Sequence, residues 1–309
     1  MPIRYVIRPP SILSTPRRLV QSLGARRTLR WPGPSLRKPS LLKDFFLTYP
    51  PVEELEEYAQ IQHHQPDWCA EYGDCERPDS GTIPQARLEI YRNTRAFSTA
   101  SKPGQRGILQ RHGIPVPTTA SAVSEAMALW PEAIRRSIGE CANEGYFTGG
   151  VRGSTEESRN NNFIIRPLRH SQGQGWRLTS NPTDFREGAE YVQEVYEKTS
   201  EYRVLAVFGR PLITLLKRVP EGTPANQPWN HAVGSTFITV YNPNLNRLRH
   251  TNIFELIEST PLFKGIGLAG VDIMYKSRSD YAVSEVNLCP SLSIPSNLEE
   301  VASYVASLY

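Results

Sequence analysis

Asp272, Glu285 and Asn287 stand within GVDIMYKSRSDYAVSEVN, two runs rich in apolar residues joined by a polar turn at residues 277–280. Antiparallel pairing of those runs brings residues distant in sequence side by side. Glu285 and Asn287, two apart on one strand, point to the same face, and Asp272 can face them across the pair. Three oxygen donors converging on one sheet face among apolar neighbours cost stability unless they hold a cation. Magnesium suits such a set, because it takes a few protein oxygens and completes its octahedron with water and nucleotide phosphates. A solvent-facing strand that carries three polar residues is the competing explanation.

Two further runs carry groups suited to a nucleotide. In RPLRHSQGQGWRL, residues 166–178, a strand ending in a basic residue runs into a loop containing Ser171, Gln172, Gly173 and Gly175. Glycines there let backbone amides approach phosphate oxygens. Arg166 can neutralise an α or β phosphate, with Arg169 or His170 assisting; taken by itself, the Gly-Gln-Gly run reads first as a plain β-turn. In QEVYEKTSEYRVLAV, residues 193–196 can form a hinge whose backbone groups pair with an adenine edge, and Glu201 can accept hydrogen bonds from ribose hydroxyls. The alternative is that Glu194, Lys198 and Glu201 are solvated strand and turn charges.

The elements that must position these groups are legible from hydrophobic period and turn chemistry. IRYVIR, STPRRLVQSLG and ARRTLRW predict a strand, a helix stopped by Gly24 and a second strand. VEELEEYAQIQHH predicts an acidic helix, residues 65–84 a Pro- and Gly-rich loop, and LEIYRN a strand. From Ser101 a helix ends at Gly113, and a Pro-rich extended segment leads to another helix. FIIRPL, EYVQEVY, YRVLAVFG, PLITLLKRV and STFITVYN predict strands, with Gly209-Arg210-Pro211 as a turn. TNIFELIESTPLF predicts one helix before the paired strands, and SNLEEVASYVASLY a last helix with a Ser cap and Glu three residues on.

Composition narrows the class. The chain has 309 residues, 39% of them hydrophobic, enough to bury a real core. No run approaches the ~20 apolar residues that span a bilayer, and the N-terminus lacks the apolar centre of a secretory signal, so a cytoplasmic protein is expected. Four scattered cysteines do not make a disulfide framework. His63, His64, Cys69 and Cys75 offer four zinc-ligand types, but at a spacing that fits no zinc pattern. Ten basic residues and no acidic one precede Asp44. A mitochondrial-type leader, a nucleic-acid patch and a basic N-terminal lobe compete here. The strand-helix-strand pattern favours the lobe, and the lack of aromatic residues among the arginines speaks against nucleic acid.

Taken in order, the motifs resemble the ATP-grasp superfamily, with the nearest likeness to its ribosomal-protein glutamate ligase branch, over about residues 101–294, roughly two thirds of the chain. SKPGQRGILQRHGIPVPTT is similar to the segment that opens the family's central lobe and supplies Lys102. RPLRHSQGQGW resembles the phosphate loop, matching Ser171, Gln172, Gly173 and Gly175. Gln193, Glu194 and Tyr196 match the adenine hinge, and Glu201 the ribose acid. LLKRVPEG followed by WNHAVGS is similar to the branch's pattern at Lys217, Arg218, Asn230 and Gly234. A-G-V-D with E-V-N thirteen residues on matches the metal element at Asp272, Glu285 and Asn287.

The resemblance implies an α+β ATP-grasp fold, two αβ lobes with ATP between them, preceded by a small αβ domain. The implied division is 1–100, then a central lobe over 101–190 with the phosphate loop, and a C-terminal lobe over 191–309 with the metal site. It implies an ATP-dependent carboxylate–amine ligase working through an acyl phosphate. Lys102, Arg166 and the loop would hold ATP, Asp272, Glu285 and Asn287 would hold Mg2+ or Mn2+, and Lys217, Arg218 and Asn230 would be catalytic. The implied partners are a carboxylate and an amine from an amino acid, a peptide or a protein terminus. The sequence departs from the family in three places. Arg166 stands where a lysine is usual, Pro228 and Trp229 stand where an arginine precedes the Asn, and CPSLS replaces a small-Pro-Gly run. The second departure leaves acyl-phosphate stabilisation to Arg218. A relative that binds ATP without ligase chemistry, a kinase-like transfer without an amine step, and a basic nucleic-acid-associated protein are the alternatives.

Overall fold

The computed structural model describes residues 5–8, 15–24, 27–30, 44–46, 96–97, 100–143, 162–168, 175–229, 234–240, 252–288 and 290–307. The acidic helix, the Pro- and Gly-rich loop, the LEIYRN strand and the zinc-ligand types at 63–75 lie outside them. β1 (Tyr5–Arg8), β2 (Arg27–Arg30) and β3 (Asp44–Phe46) form a parallel sheet ordered β2-β1-β3. α1 (Thr15–Ser22) connects the first two strands and packs on the last helix of the chain.

α2 (Lys102–Arg111) starts where the sequence indicates. Ser101 Oγ accepts from the Gly104 amide at 3.4 Å, and a proline occupies the first turn. Gly113, at φ +74°, ends it in a conformation that favours glycine. β4 (Thr119–Ala120), α3 (Val123–Leu129) and α4 (Pro131–Asn143) follow. β5 (Phe163–Pro167), β6 (Arg177–Thr179) and β7 (Glu190–Glu194) join β4 in an antiparallel sheet ordered β4-β7-β5-β6. One face of that sheet is apolar: Phe163, Ile165 and Val192 pack with Ala126 of α3 and with Phe185. Trp130 meets Phe163 edge-on at 5.0 Å. The alternate residues Ile164, Arg166, Tyr191 and Gln193 therefore point the other way.

β8 (Ser200–Val207), β9 (Arg210–Arg218), β10 (Thr236–Thr239), β11 (Ala269–Tyr275) and β12 (Tyr281–Asn287) form a second antiparallel sheet, ordered β10-β9-β8-β11-β12. Its first face buries Tyr202, Val204, Ala206, Val271 and Ile273 against Leu109 of α2 and against α5 (Ile253–Ser259) and α6 (Pro261–Lys264). Full burial of each such aliphatic side chain contributes roughly 1.5–3 kcal/mol. Its second face divides along the strands. Leu205, Val207, Ile213 and Leu215 are covered by α7 (Pro295–Ser307) and by Leu19 of α1, while the other end carries charge.

Three local expectations shift. The β8–β9 turn is Phe208–Gly209, both at positive φ (46° and 82°), as a two-residue hairpin matched to strand twist requires, and Arg210 and Pro211 begin the next strand. The single helix expected before β11 breaks at Thr260, because Pro261 has no N–H to continue the ladder. Ser296 lies inside the first turn of α7 rather than capping it, since the helix starts at Pro295.

Candidate functional site

The register of the five-stranded sheet assembles the charged half-face row by row. Lys217 of β9 pairs with Glu201 of β8, which pairs with Met274 of β11. One row along, Arg203 of β8 pairs with Asp272 of β11, which pairs with Glu285 of β12, and Asn287 lies beside Gly270. Cross-strand partners point to one face, so Lys217, Glu201, Arg203, Asp272, Glu285 and Asn287 converge. The expected facing of Asp272 to Glu285 and Asn287 is thus what the backbone shows.

Arg203 is the centre of the cluster. Its Nε donates to Asp272 Oδ1 at 2.5 Å and its Nη2 to Oδ2 at 2.7 Å, a bidentate pair. Its guanidinium stacks over Phe237 at 4.4 Å. Asn287, with its amide turned to satisfy both atoms, accepts from Arg203 Nη2 at 3.0 Å and donates to Glu285 Oε1 at 3.1 Å. Burial works against the charge on Arg203, but the Asp272 carboxylate, with Glu285 and Glu201 beside it, outweighs burial and holds the guanidinium pKa above its ordinary value. Gly270 makes the packing possible, because a Cβ there would meet Pro290 Cβ at 2.8 Å and Arg203 Cδ at 3.3 Å.

Lys102, in the first turn of α2, reaches across to Glu285 Oε1 at 2.5 Å. Arg106, one helical turn on, donates to Thr119 Oγ1 at 3.0 Å and to the Ser284 carbonyl at 3.2 Å, and lies over the Tyr191 ring at 5.4 Å. Glu201 accepts from Lys217 and pairs with Lys198 at 3.1 Å. On the facing surface of the smaller sheet are Arg166 and Gln193. Arg166 is near enough to oppose the positive charge on both Arg106 and Lys198, whose pKa values burial lowers first.

Two buried polar atoms on that surface lack a hydrogen-bond partner: Arg166 Nε and Gln193 Oε1, the latter on a side chain 1% exposed. An orphaned buried polar group is costly, so both are suited to a ligand, a donor to a phosphate oxygen and an acceptor to an amine. The candidate metal donors are two carboxylates and an amide; among the described residues no group of three His, Cys, Asp or Glu that could hold a metal ion gathers anywhere. Such a set fits a hard ion that keeps water and phosphate oxygens in its shell.

Other expected residues fall differently. Strand alternation turns Arg218, exposed at the end of β9, to the face opposite Lys217. Arg203 occupies the place beside the acidic groups, and its signal in the sequence was an arginine two residues from Glu201 in a strand otherwise mostly apolar. Glu194 and Tyr196 face away from Gln193, lining with Trp130, Pro117 and Asp280 a separate open groove of about 670 Å³. There the Tyr196 hydroxyl donates to Asp280 Oδ1 at 2.6 Å, and burial, together with that carboxylate, pushes its pKa up. The amides of Glu194 and Val195 are bonded to the Thr118 and Asn162 carbonyls. Gly175 and Gly234 adopt φ of 74° and 79°, whereas Ser171, Gln172, Gly173 and Asn230 lie outside the described residues.

The two antiparallel sheets are arranged as in solved ATP-grasp ligases, whose fold the chain has. Solved structures agree over the full chain. The ATP-grasp ligase PsnB, in complex with a phosphomimetic variant of its minimal precursor, Mg and ADP, superposes with a TM-score of 0.52 at 12% identity, covering 100% of this chain and 99% of that one. PsnB with the minimal precursor gives 0.51 at 13% identity, covering 99% and 100%. D-alanine–D-alanine ligase from Bacillus anthracis gives 0.50 at 13% identity, covering 99% and 97%. No protein-family model matches the sequence, and no curated protein matches it. Among the described residues no helix is long and apolar enough to cross a membrane.

Proposed function

We propose that this chain is a carboxylate–amine ligase that binds magnesium and ATP between its two antiparallel sheets. The observation that carries the reading is the pairing of a two-carboxylate, one-amide donor set with facing cations and with two orphaned buried atoms, Gln193 Oε1 and Arg166 Nε. The likeness to solved ATP-grasp ligases supports it, and so does the likeness of the motifs to the ribosomal-protein glutamate ligase branch. PsnB is solved with its minimal precursor and the Bacillus anthracis enzyme is named for D-alanine, so an amino acid or a short peptide is the substrate class to try first.

Bound magnesium and ATP would supply a γ-phosphoryl group to a carboxylate with release of ADP, and an amine would then take the acyl group with release of phosphate. Asp272, Glu285 and Asn287 would hold the metal. Gln193 Oε1 would accept from the adenine amine, and Glu194 and Tyr196 would contribute backbone groups at the hinge. Arg166, Lys102 and the amides of Ser171, Gln172, Gly173 and Gly175 would bind phosphates. Glu201, which a carboxylate's several acceptor sites allow to serve more than its two lysines, would take the ribose. Lys217, Asn230 and Arg203 would offset charge on the transferring group, with Arg218 set on the far face. Removing one preorganised donor of this kind costs about 10²–10³ in turnover. The three-part division at 100 and 190 and a cytoplasmic location belong to the same proposal.

The test is ADP release from magnesium–ATP against panels of amino acids and short peptides, with hydroxylamine present to trap an acyl phosphate as a hydroxamate. Carboxylate-dependent hydroxamate that disappears in Asp272→Asn supports the ligase. ADP release with no hydroxamate and no amide from any carboxylate and amine contradicts it.

A further inference from the structure

Lys198 is among the most buried charges in the molecule, 5% exposed, and none of the roles above uses it. It sits in the connector between β7 and β8, the only covalent link between the two antiparallel sheets among the described residues downstream of β7. Its ammonium leaves that connector and enters the β9–β10 loop. There it donates to the Gln227 carbonyl at 2.7 Å and to the Ala225 carbonyl at 3.3 Å, and it stacks over the Trp229 ring at 4.8 Å. Glu201 Oε1 balances it at 3.1 Å. The loop holds itself in the same shape, with Trp229 Nε1 donating to the Pro224 carbonyl at 3.0 Å and the Thr223 amide to the Pro220 carbonyl at 3.2 Å.

A buried lysine is expensive unless its donors are satisfied. Here three donors meet two carbonyls and a carboxylate, and an indole covers the remaining side. Loop carbonyls with no regular ladder are the groups such a cation can order, and they belong to residues that run directly into Asn230 in the sequence. Lys217, next to the last residue of β9, shares Glu201 with Lys198. Glu201 thus joins the end of β9, ahead of that loop, to the cation that holds the loop carbonyls.

We propose that Lys198 is a positioning residue: it ties the β9–β10 loop to the connector between the sheets and so fixes the part of the chain from which Asn230 follows. It acts through the loop carbonyls, Trp229 and Glu201, and is assigned no role in holding metal or nucleotide. Its consequence for turnover rests on the ligase reading; its effect on the loop does not.

Amide hydrogen exchange by mass spectrometry on the full chain, wild type against Lys198→Met, tests this without substrate. Exchange in the peptide covering residues 221–229 is expected to rise at least tenfold, while peptides from β11, β12 and α7 keep their rates. Magnesium–ATP affinity should stay within about threefold and ADP release should fall tenfold or more, a split that a general loss of folding would not give. If Lys198→Met does not fold, Trp229→Phe, which removes the indole donor and the larger ring face, should speed exchange in the same peptide alone. Unchanged exchange at 221–229 in a folded Lys198→Met, or faster exchange spread over β11 and β12, overturns the proposal. Absence of ATP binding in wild type would sink the ligase reading and leave the exchange result to decide the role of Lys198.

Discussion

Replacing Arg203 with methionine isolates the energetics of the cluster. Asp272 is 7% exposed and both its oxygens are held by this guanidinium, so Arg203→Met leaves a buried carboxylate facing Glu285 without its cation. Removing one partner of a buried ion pair costs about 3–5 kcal/mol, while replacing both is close to neutral. At the ~2 °C per kcal/mol typical of larger domains, the melting temperature should fall by about 6–10 °C. Urea unfolding followed by circular dichroism measures the loss, and Arg203→Met with Asp272→Asn should recover most of it. Millimolar Mg2+ should restore part of the stability of the single variant, where the Asp272 carboxylate is uncompensated, and little of that of the double variant. A loss below about 1 kcal/mol, or a double variant no more stable than the single, would refute the assignment of Arg203 as the charge partner of the metal-donor face.

Other perturbations follow from the same geometry. Gly270→Ala puts a Cβ 2.8 Å from Pro290 and 3.3 Å from Arg203, and overpacking of this kind should cost about 1–3 kcal/mol and weaken nucleotide binding together, measured by melting and titration. Lys102→Met removes the ammonium 2.5 Å from Glu285, so Mg2+ alone should bind more tightly while ATP binds about tenfold or more less tightly, opposite signs that calorimetry separates. Glu190 is buried, accepts from Arg177 at 2.7 Å and from the Arg186 amide at 2.8 Å, and is held down to about 2 chiefly by the Arg177 hydrogen bond. Its contribution is complete above the ordinary carboxylate pKa and is lost as pH falls through about 2, so acid unfolding should begin at higher pH in Glu190→Gln.

The strands that carry Asp272, Glu285 and Asn287 were the most legible part of the site because a period-two pattern fixes which side chains share a face once the turn at 277–280 is seen. Pairing order is another matter. That β8 lies beside β11, bringing Arg203 onto Asp272 from 69 residues away, is a long-range choice that no local pattern encodes. Arg218 is a different case. The motif resemblance names Lys217 and Arg218 together, whereas strand alternation sends Lys217 to the cluster and Arg218 to the other face. Lys198 read as a surface charge because burial of a lysine depends on loop carbonyls up to 29 residues distant. Local stops were read well where backbone chemistry dictates them, as at Gly113, and misplaced where two signals overlap, as at Phe208–Gly209 beside Pro211.

The central claim is that magnesium and ATP bind between the two sheets at Asp272, Glu285 and Asn287. Calorimetric titration of ATP into the wild-type chain and into Glu285→Gln, each with and without Mg2+, addresses it most directly. Magnesium-dependent binding by the wild type that weakens tenfold or more in Glu285→Gln is the predicted result. Absence of ATP binding in wild type, or binding indifferent to both magnesium and the substitution, would contradict the account.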